Sequence, residues 1–265
     1  MTLFLPEQRD GLRELLELCR STVIDVVVIG AMAYRFWIDD PHRHTEDVDV
    51  VLALDLDELS KLSEPLAERG WRQDARLEHR WRNPQGASFD VLPVGRKAQL
   101  EKEILWPRSG IRMNVVGFDH VFRDAVELEV VDGLKARIVP LVVLAYMKMI
   151  SYMDDPYARR KDLGDVLAIL RRYEERGERR FGGEVIESGI EYDAAGAYLL
   201  GRDLRALCAG RDEVTVVERF LERVGDPDFT APYGSRRFVV LDDDESERPF
   251  ARELGALIMG FGTSR

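Results

Sequence analysis

The chain has 265 residues, 49 acidic side chains against 38 basic ones, and a formal net charge of −11. That length buries a full core in one large domain or two smaller ones. The acidic balance excludes broad, non-specific nucleic-acid binding while leaving room for a local basic groove.

The two cysteines, Cys19 and Cys208, sit at helix-periodic apolar positions without metal-ligand spacing. They read as core thiols of a reduced, cytoplasmic protein. The start MTLFLPEQRD lacks a basic region followed by an apolar core, so no signal peptide is expected. The longest apolar run, Ile138 to Ile150, is too short to span a bilayer and contains Lys148, so no membrane partner is expected.

In chain order, Leu12, Leu15, Leu16 and Cys19 have the i, i+3, i+4, i+7 spacing of a helix over about Glu7–Arg20. Val23 to Ile29 is β-branched and apolar apart from Asp25, which suits a strand buried on both faces. Gly30 then allows a sharp turn or a close approach. Ala31–Trp37 follows as a short helix, closed by Asp39, Asp40 and Pro41. Asp47-Val48-Asp49-Val50-Val51 alternates with period two, so both carboxylates project from one face of a strand, about 6–7 Å apart.

A helix is predicted over Asp57–Arg69, kinked or split at Pro65. Strands at Arg76–Arg82 and Ala87–Val94 form a hairpin through Asn83-Pro84-Gln85-Gly86, with Asp90 on the second. A short helix is predicted over Gln99–Trp106, then strands over Arg112–Gly117 and within Val126–Val139, turning at Asp132-Gly133. From Pro140 onward the pattern is helical: Pro140–Tyr152, Arg159–Glu175, Asp193–Cys208, Asp212–Val224 and Arg248–Met259, with a loop at Arg179–Gly183. The chain thus divides into an α/β part, 1–134, and a helical part, 135–265. The acidic run Asp242–Glu245 reads as a solvated loop.

Two like charges on one strand face repel, and they gain from a shared cation such as Mg²⁺. Asp90, alone between Phe89 and Val91, would be costly to bury unless paired or bound to a metal; it is either a third ligand or the partner of Arg80 or Arg82. Asp25, ahead of the turn, reads as a strand-start residue. Lys161 and Asp165 are i, i+4 and suit an intrahelical ion pair. His42 and His44 lack the further ligands that zinc requires. Trp71, Trp81 and Trp106 read as core or hairpin cover.

The order of these motifs resembles the nucleotidyltransferase superfamily of polymerase-β-like fold. Its h-G-[GS] element is Ile29-Gly30-Ala31, its D-h-[DE]-h element Asp47-Val48-Asp49-Val50, and its third carboxylate Phe89-Asp90-Val91. Within that superfamily the chain is similar to the AbiEii-like group, toxins of type IV toxin–antitoxin systems and their relatives. The group's R-x-[ST]-x-D-h-D is Arg43-His44-Thr45-Glu46-Asp47-Val48-Asp49; its later lysine is Lys148, and its KDxxD element is Lys161-Asp162-Leu163-Gly164-Asp165. Ala31 departs from the usual Gly or Ser, and Ala158 stands three residues before Lys161, where the group has an arginine; Arg159 and Arg160 are close by.

The resemblance implies a mixed-sheet catalytic core with a helical half completing the nucleotide site, and transfer of a nucleoside monophosphate from an NTP to an acceptor hydroxyl. Asp47, Asp49 and Asp90 would bind Mg²⁺ or Mn²⁺, Gly30, Ala31 and Thr45 would approach the phosphates, and Lys148 and Lys161 would neutralise them. It points to tRNA as acceptor and to an antitoxin protein as partner. A small-molecule acceptor of the aminoglycoside type, which the acidic charge suits, and a catalytically silent nucleotide-binding module are the alternatives.

Overall fold

Pro6 opens the first helix, α1 (Pro6–Ser21), at the position where its missing N–H costs nothing, and the Gln8 side chain accepts the Leu5 N–H at 3.0 Å. Leu12, Leu15, Leu16 and Cys19 form its buried face. The helix unwinds through Val23, which has φ +57° and is 92% exposed. A β-branched residue in that conformation cannot belong to a strand, so β1 is only Val26–Val28, shorter than the apolar run predicts and buried throughout. The computed structural model describes residues 4–38, 45–131, 133–226 and 251–262.

The fold is mixed α/β, in two units, Met1–Pro140 and Leu141–Arg265. In the first unit α2 (Gly30–Trp37) leads from β1 to β2 (Asp47–Leu52). A 3₁₀ turn at Leu56–Glu58 and α3 (Ser60–Glu68) follow; the break falls before Ser60, and Pro65 lies within α3. Then come β3 (Arg72–Gln73), β4 (Arg80–Arg82), β5 (Ser88–Pro93), α4 (Arg96–Glu101), β6 (Glu103–Leu105), β7 (Arg112–Asn114), α5 (Phe118–Asp124), β8 (Val126–Val131) and β9 (Leu134–Ile138). Seven strands form one sheet in the order β3-β4-β5-β2-β1-β9-β8, and β6 pairs with β7 in a separate ribbon. Strand β2 runs antiparallel to β1 and parallel to β5; β1 runs parallel to β9. The sequence boundary between 134 and 135 falls inside β9, whose pairing with β1 and β8 ties the whole strand to the first unit.

Asn83 anchors the hairpin between β4 and β5. Its side-chain carbonyl accepts the Ala87 N–H at 2.8 Å and its amide donates to the Glu7 carbonyl of α1 at 2.9 Å. Trp71 donates to Glu14 at 2.8 Å and packs on Phe89, 4.9 Å between ring centres. Trp71, Trp81 and Trp106 are all buried. Asp25 forms an ion pair with Arg137 of β9.

Three local expectations change. The predicted helix over Gln99–Trp106 ends at Lys102, which has φ +60°, and the chain continues as β6. Phe118–Asp124 is a helix that the sequence reading left unassigned. The predicted loop at Arg179–Gly183 contains a 3₁₀ turn, Glu178–Phe181, and the short helix α8 (Gly183–Ile186). Asp132, Asp242–Glu245 and the predicted start of the last helix at Arg248 lie outside the described residues.

The second unit comprises α6 (Leu141–Asp154), α7 (Arg160–Arg172), α8, α9 (Tyr192–Leu207), α10 (Arg211–Gly225) and α11 (Ala251–Gly262). Two glycines let α9 and α11 cross at backbone distance: a Cβ on Gly201 would lie 2.3 Å from the Leu257 carbonyl oxygen, and one on Gly260 would lie 2.1 Å from that of Tyr198. Arg180, buried, donates to the carbonyls of Arg171 and Tyr173 and so satisfies groups that the end of α7 leaves open. No helix among the described residues is long and apolar enough to cross a membrane. Cys19 and Cys208 are buried free thiols, each pushed up to about 12 chiefly by burial.

Gly201→Leu should separate the two helices and destabilise the protein by about 2 kcal/mol or more, read as a lower urea midpoint. An unchanged midpoint would show that the crossing does not depend on that glycine.

Candidate active site

Parallel pairing of β2 with β5 sets Asp47 opposite Ser88 and Asp49 opposite Asp90. Because side chains alternate along a strand, this register brings Asp47, Asp49 and Asp90 to one face. One carboxylate oxygen of each lies within 4.8 Å of the others. Three hard oxygen donors from two neighbouring strands suit Mg²⁺ or Mn²⁺ and offer nothing to a thiophilic ion, so the donor set fits the divalent cation that the sequence implies.

Gly30 is the seat of the second carboxylate. It has φ +65°, and a Cβ there would lie 2.0 Å from Asp49 Oδ2. The Ile29 N–H also donates to the Asp49 carbonyl at 2.9 Å. The close approach that glycine permits is therefore made by the protein's own carboxylate. Asp49 lies against the first turn of α2, where N–H groups without intrahelical partners favour an anion. Ala31, buried, is the next residue of that turn.

Thr45 donates its hydroxyl to Asp47 Oδ1 at 2.7 Å, so it orients a carboxylate rather than standing open to solvent. Arg80, opposite Asp90 across the β4–β5 pair, donates to Asp90 Oδ1 at 2.7 Å through Nε and to Asp90 Oδ2 at 2.8 Å through Nη2. The same Nη2 donates to Asp47 Oδ2 at 2.9 Å. Its pKa is raised, first by the Asp90 hydrogen bonds and then by the charges of Asp90, Asp47 and Asp49. His79 Nε2 stands 3.9 Å from Asp90 Oδ2. Asp90 thus stands in the acidic cluster and pairs with Arg80. The tie from Arg80 to Asp47 had no sequence signal, since it depends on the strand order. Arg43, His42 and His44 lie outside the described residues.

In the second unit Lys148 is 8% exposed, not the surface lysine that its type suggests. It donates to Asp162 Oδ1 at 2.9 Å and forms an ion pair with Asp165 Oδ2 at 2.6 Å; Ser151 donates to the other Asp162 oxygen. Burial alone would lower the lysine pKa, but the two aspartates outweigh it and the pKa is raised. Asp165 is buried beside Lys148, which replaces the predicted intrahelical pair with Lys161; Lys161 itself is exposed. The KDxxD spacing puts Asp162 and Asp165 on one side of α7, and this is why one lysine meets both.

A family model described as nucleotidyl transferase AbiEii toxin, type IV TA system, matches residues 21–240. The chain belongs to this family. As an AbiEii-family member it is a nucleotidyltransferase, and its mixed sheet is the framework that the motifs predict. No curated protein matches the chain. Among solved structures it is similar to an antigenic nucleotidyltransferase-like protein from Paracoccidioides brasiliensis, at 18% identity and TM-score 0.41, over 63% of this chain and 77% of that one. It is also similar to the antibiotic-resistance factor ANT(2″)-Ia in solution, at 12% identity and TM-score 0.37, over 55% and 71%. The crystal structure of ANT(2″)-Ia with adenylyl-2″-tobramycin gives 13% identity and TM-score 0.38, over 71% and 95%. Likenesses this loose assign neither substrates nor residue roles.

Gly30→Ala should cost about 2 kcal/mol or more, from strain at positive φ and the collision with Asp49, read as a lower melting temperature. Unchanged melting would show that the Asp49 seat is not needed. Lys148→Met should destabilise the second unit by about 3 kcal/mol, because it leaves the buried Asp165 and the half-buried Asp162 without their cation. The folded-state pKa of Lys148 is raised, so its contribution is complete below the unfolded lysine value of about 10.4 and fades only as pH climbs above it. The stability difference between the wild type and Lys148→Met should therefore stay level from pH 7 to 9 and shrink above about pH 10.4. A difference that already fades below pH 9 would contradict this.

Proposed function

We propose that this AbiEii-family nucleotidyltransferase moves a nucleoside monophosphate from an NTP to an acceptor hydroxyl and releases pyrophosphate, with Mg²⁺ or Mn²⁺ held by Asp47 and Asp49. The observation that carries this reading is the convergence of Asp47, Asp49 and Asp90, with Asp49 seated on Gly30. A bound divalent cation supplies charge neutralisation to the triphosphate and lowers the pKa of an attacking hydroxyl.

The residues have separate tasks. Asp47, steadied by Thr45, and Asp49, steadied by Gly30, present carboxylate oxygens on one strand face. Asp90 takes up the proton of the acceptor hydroxyl, directly or through a neighbouring group. The backbone at Gly30 and Ala31, at the start of α2, offers N–H groups to a phosphate. For Lys148 and Lys161 a phosphate role rests on the family resemblance alone. The toxin description of the family supports an RNA acceptor, tRNA, with a cognate antitoxin protein as partner in the cytoplasm; the acidic charge confines such binding to a local groove. The net charge of −11 favours the alternative, a cationic small-molecule acceptor, which the same experiment reveals.

Each α-labelled NTP, supplied with Mg²⁺ or Mn²⁺, would be offered total tRNA, an aminoglycoside panel or no acceptor. Label should appear on tRNA and fall roughly 100-fold or more in Asp49→Ala, as expected for loss of a group that stabilises the transition state. Label on the aminoglycosides would replace the RNA reading with the small-molecule one. Label undiminished in a folded Asp49→Ala protein would overturn the site.

A further inference from the structure

Arg80 is placed by strand register rather than by the reach of a flexible side chain: it lies directly opposite Asp90 in the β4–β5 ladder. Its guanidinium grips both oxygens of Asp90 and one of Asp47, at 2.7–2.9 Å. Thr45 occupies the other Asp47 oxygen. Every carboxylate oxygen of Asp47 and Asp90 therefore receives a donor from the protein, and a fixed positive charge sits between them, where a bridging cation would sit. By formal charge, three carboxylates and one guanidinium leave two negative charges on the cluster, the complement of a single divalent ion.

We propose that Arg80 is a built-in cation that takes the place of a second metal ion between Asp47 and Asp90, so that this site binds one divalent cation per chain, centred on Asp49 and the remaining lone pairs of Asp47. The proposal rests on the reading of these carboxylates as the nucleotidyl-transfer site.

Two physical arguments favour arginine over a second ion. The guanidinium fork matches a carboxylate with two parallel hydrogen bonds, is only weakly hydrated and stays charged at any accessible pH. A second Mg²⁺ would have to shed tightly held waters and expel Arg80 from a half-buried position, leaving that cation without its partners. Arg80 is thus a positioning residue: it holds the Asp90 carboxylate aimed, and fixes the spacing between the two strands' carboxylates.

The test is a Mn²⁺ titration of the full chain, followed by loss of the free-ion EPR signal. The wild type should bind one Mn²⁺ that disappears in Asp49→Ala. Arg80→Gln and Arg80→Met, checked for folding by thermal melting, should each bind two, with the spin-coupled lines of a metal pair about 3.5–4 Å apart. Two ions in the wild type would overturn the proposal and leave the site reading intact. One ion in both the wild type and a folded Arg80 variant would do the same. No ion in the wild type, or one that survives Asp49→Ala, would overturn the site reading itself and the proposal with it. If neither variant folds, the wild-type count still decides, because one and two ions remain distinct outcomes.

Discussion

The parallel register between β2 and β5 is the constraint on which the first unit turns. Asp49 faces Asp90 only in that alignment, and a shift of one residue would send one strand's carboxylates to the opposite side of the sheet. Val48, Val50, Phe89 and Val91, all buried, enforce it from the other side. The apolar residues that build the core therefore also decide which carboxylates meet, so the charge arrangement needs no separate device to align it.

Crowding like charges on one face has a cost, and the chain offsets it by the same means in each unit. In the first, Arg80 lies among Asp47, Asp49 and Asp90. In the second, Lys148 lies between Asp162 and Asp165. The two clusters differ in what surrounds them. Asp165 is buried almost completely, whereas Asp47 and Arg80 keep partial access to water. The lysine cluster is accordingly closed off from solvent, and the arginine cluster keeps contact with it.

Residue patterns within single strands made much of this readable. The period-two run Asp47-Val48-Asp49-Val50 and the isolated Asp90 in Phe89-Asp90-Val91 declare both the strand and the polar face, and the helix stripes of α1, α7, α9 and α10 declare theirs. What stayed hidden depends on pairing between distant segments. Arg80 and Arg82 look alike until the β4–β5 register puts Arg80 beside Asp90. Lys148 looks like a solvent-facing break in an apolar helix until α7 supplies two partners. Gly30 announces a close approach, but not that the approaching group is Asp49. The short helix Phe118–Asp124 is hidden for a more local reason: seven residues give too few turns for a periodicity to show.

The two borders of the seven-stranded sheet carry a further meaning. One border is β3, just Arg72 and Gln73, both exposed; the other is β8, where Glu127 and Glu129 are exposed and the pairing register shifts between Glu129 and Val131. A border this brief gives an incoming backbone little to pair with, and one that is charged and irregular repels it. The sheet is thereby guarded against lateral growth into stacked copies of itself. Any backbone that paired by extending this sheet would meet two residues at β3 and a charged, irregular edge at β8.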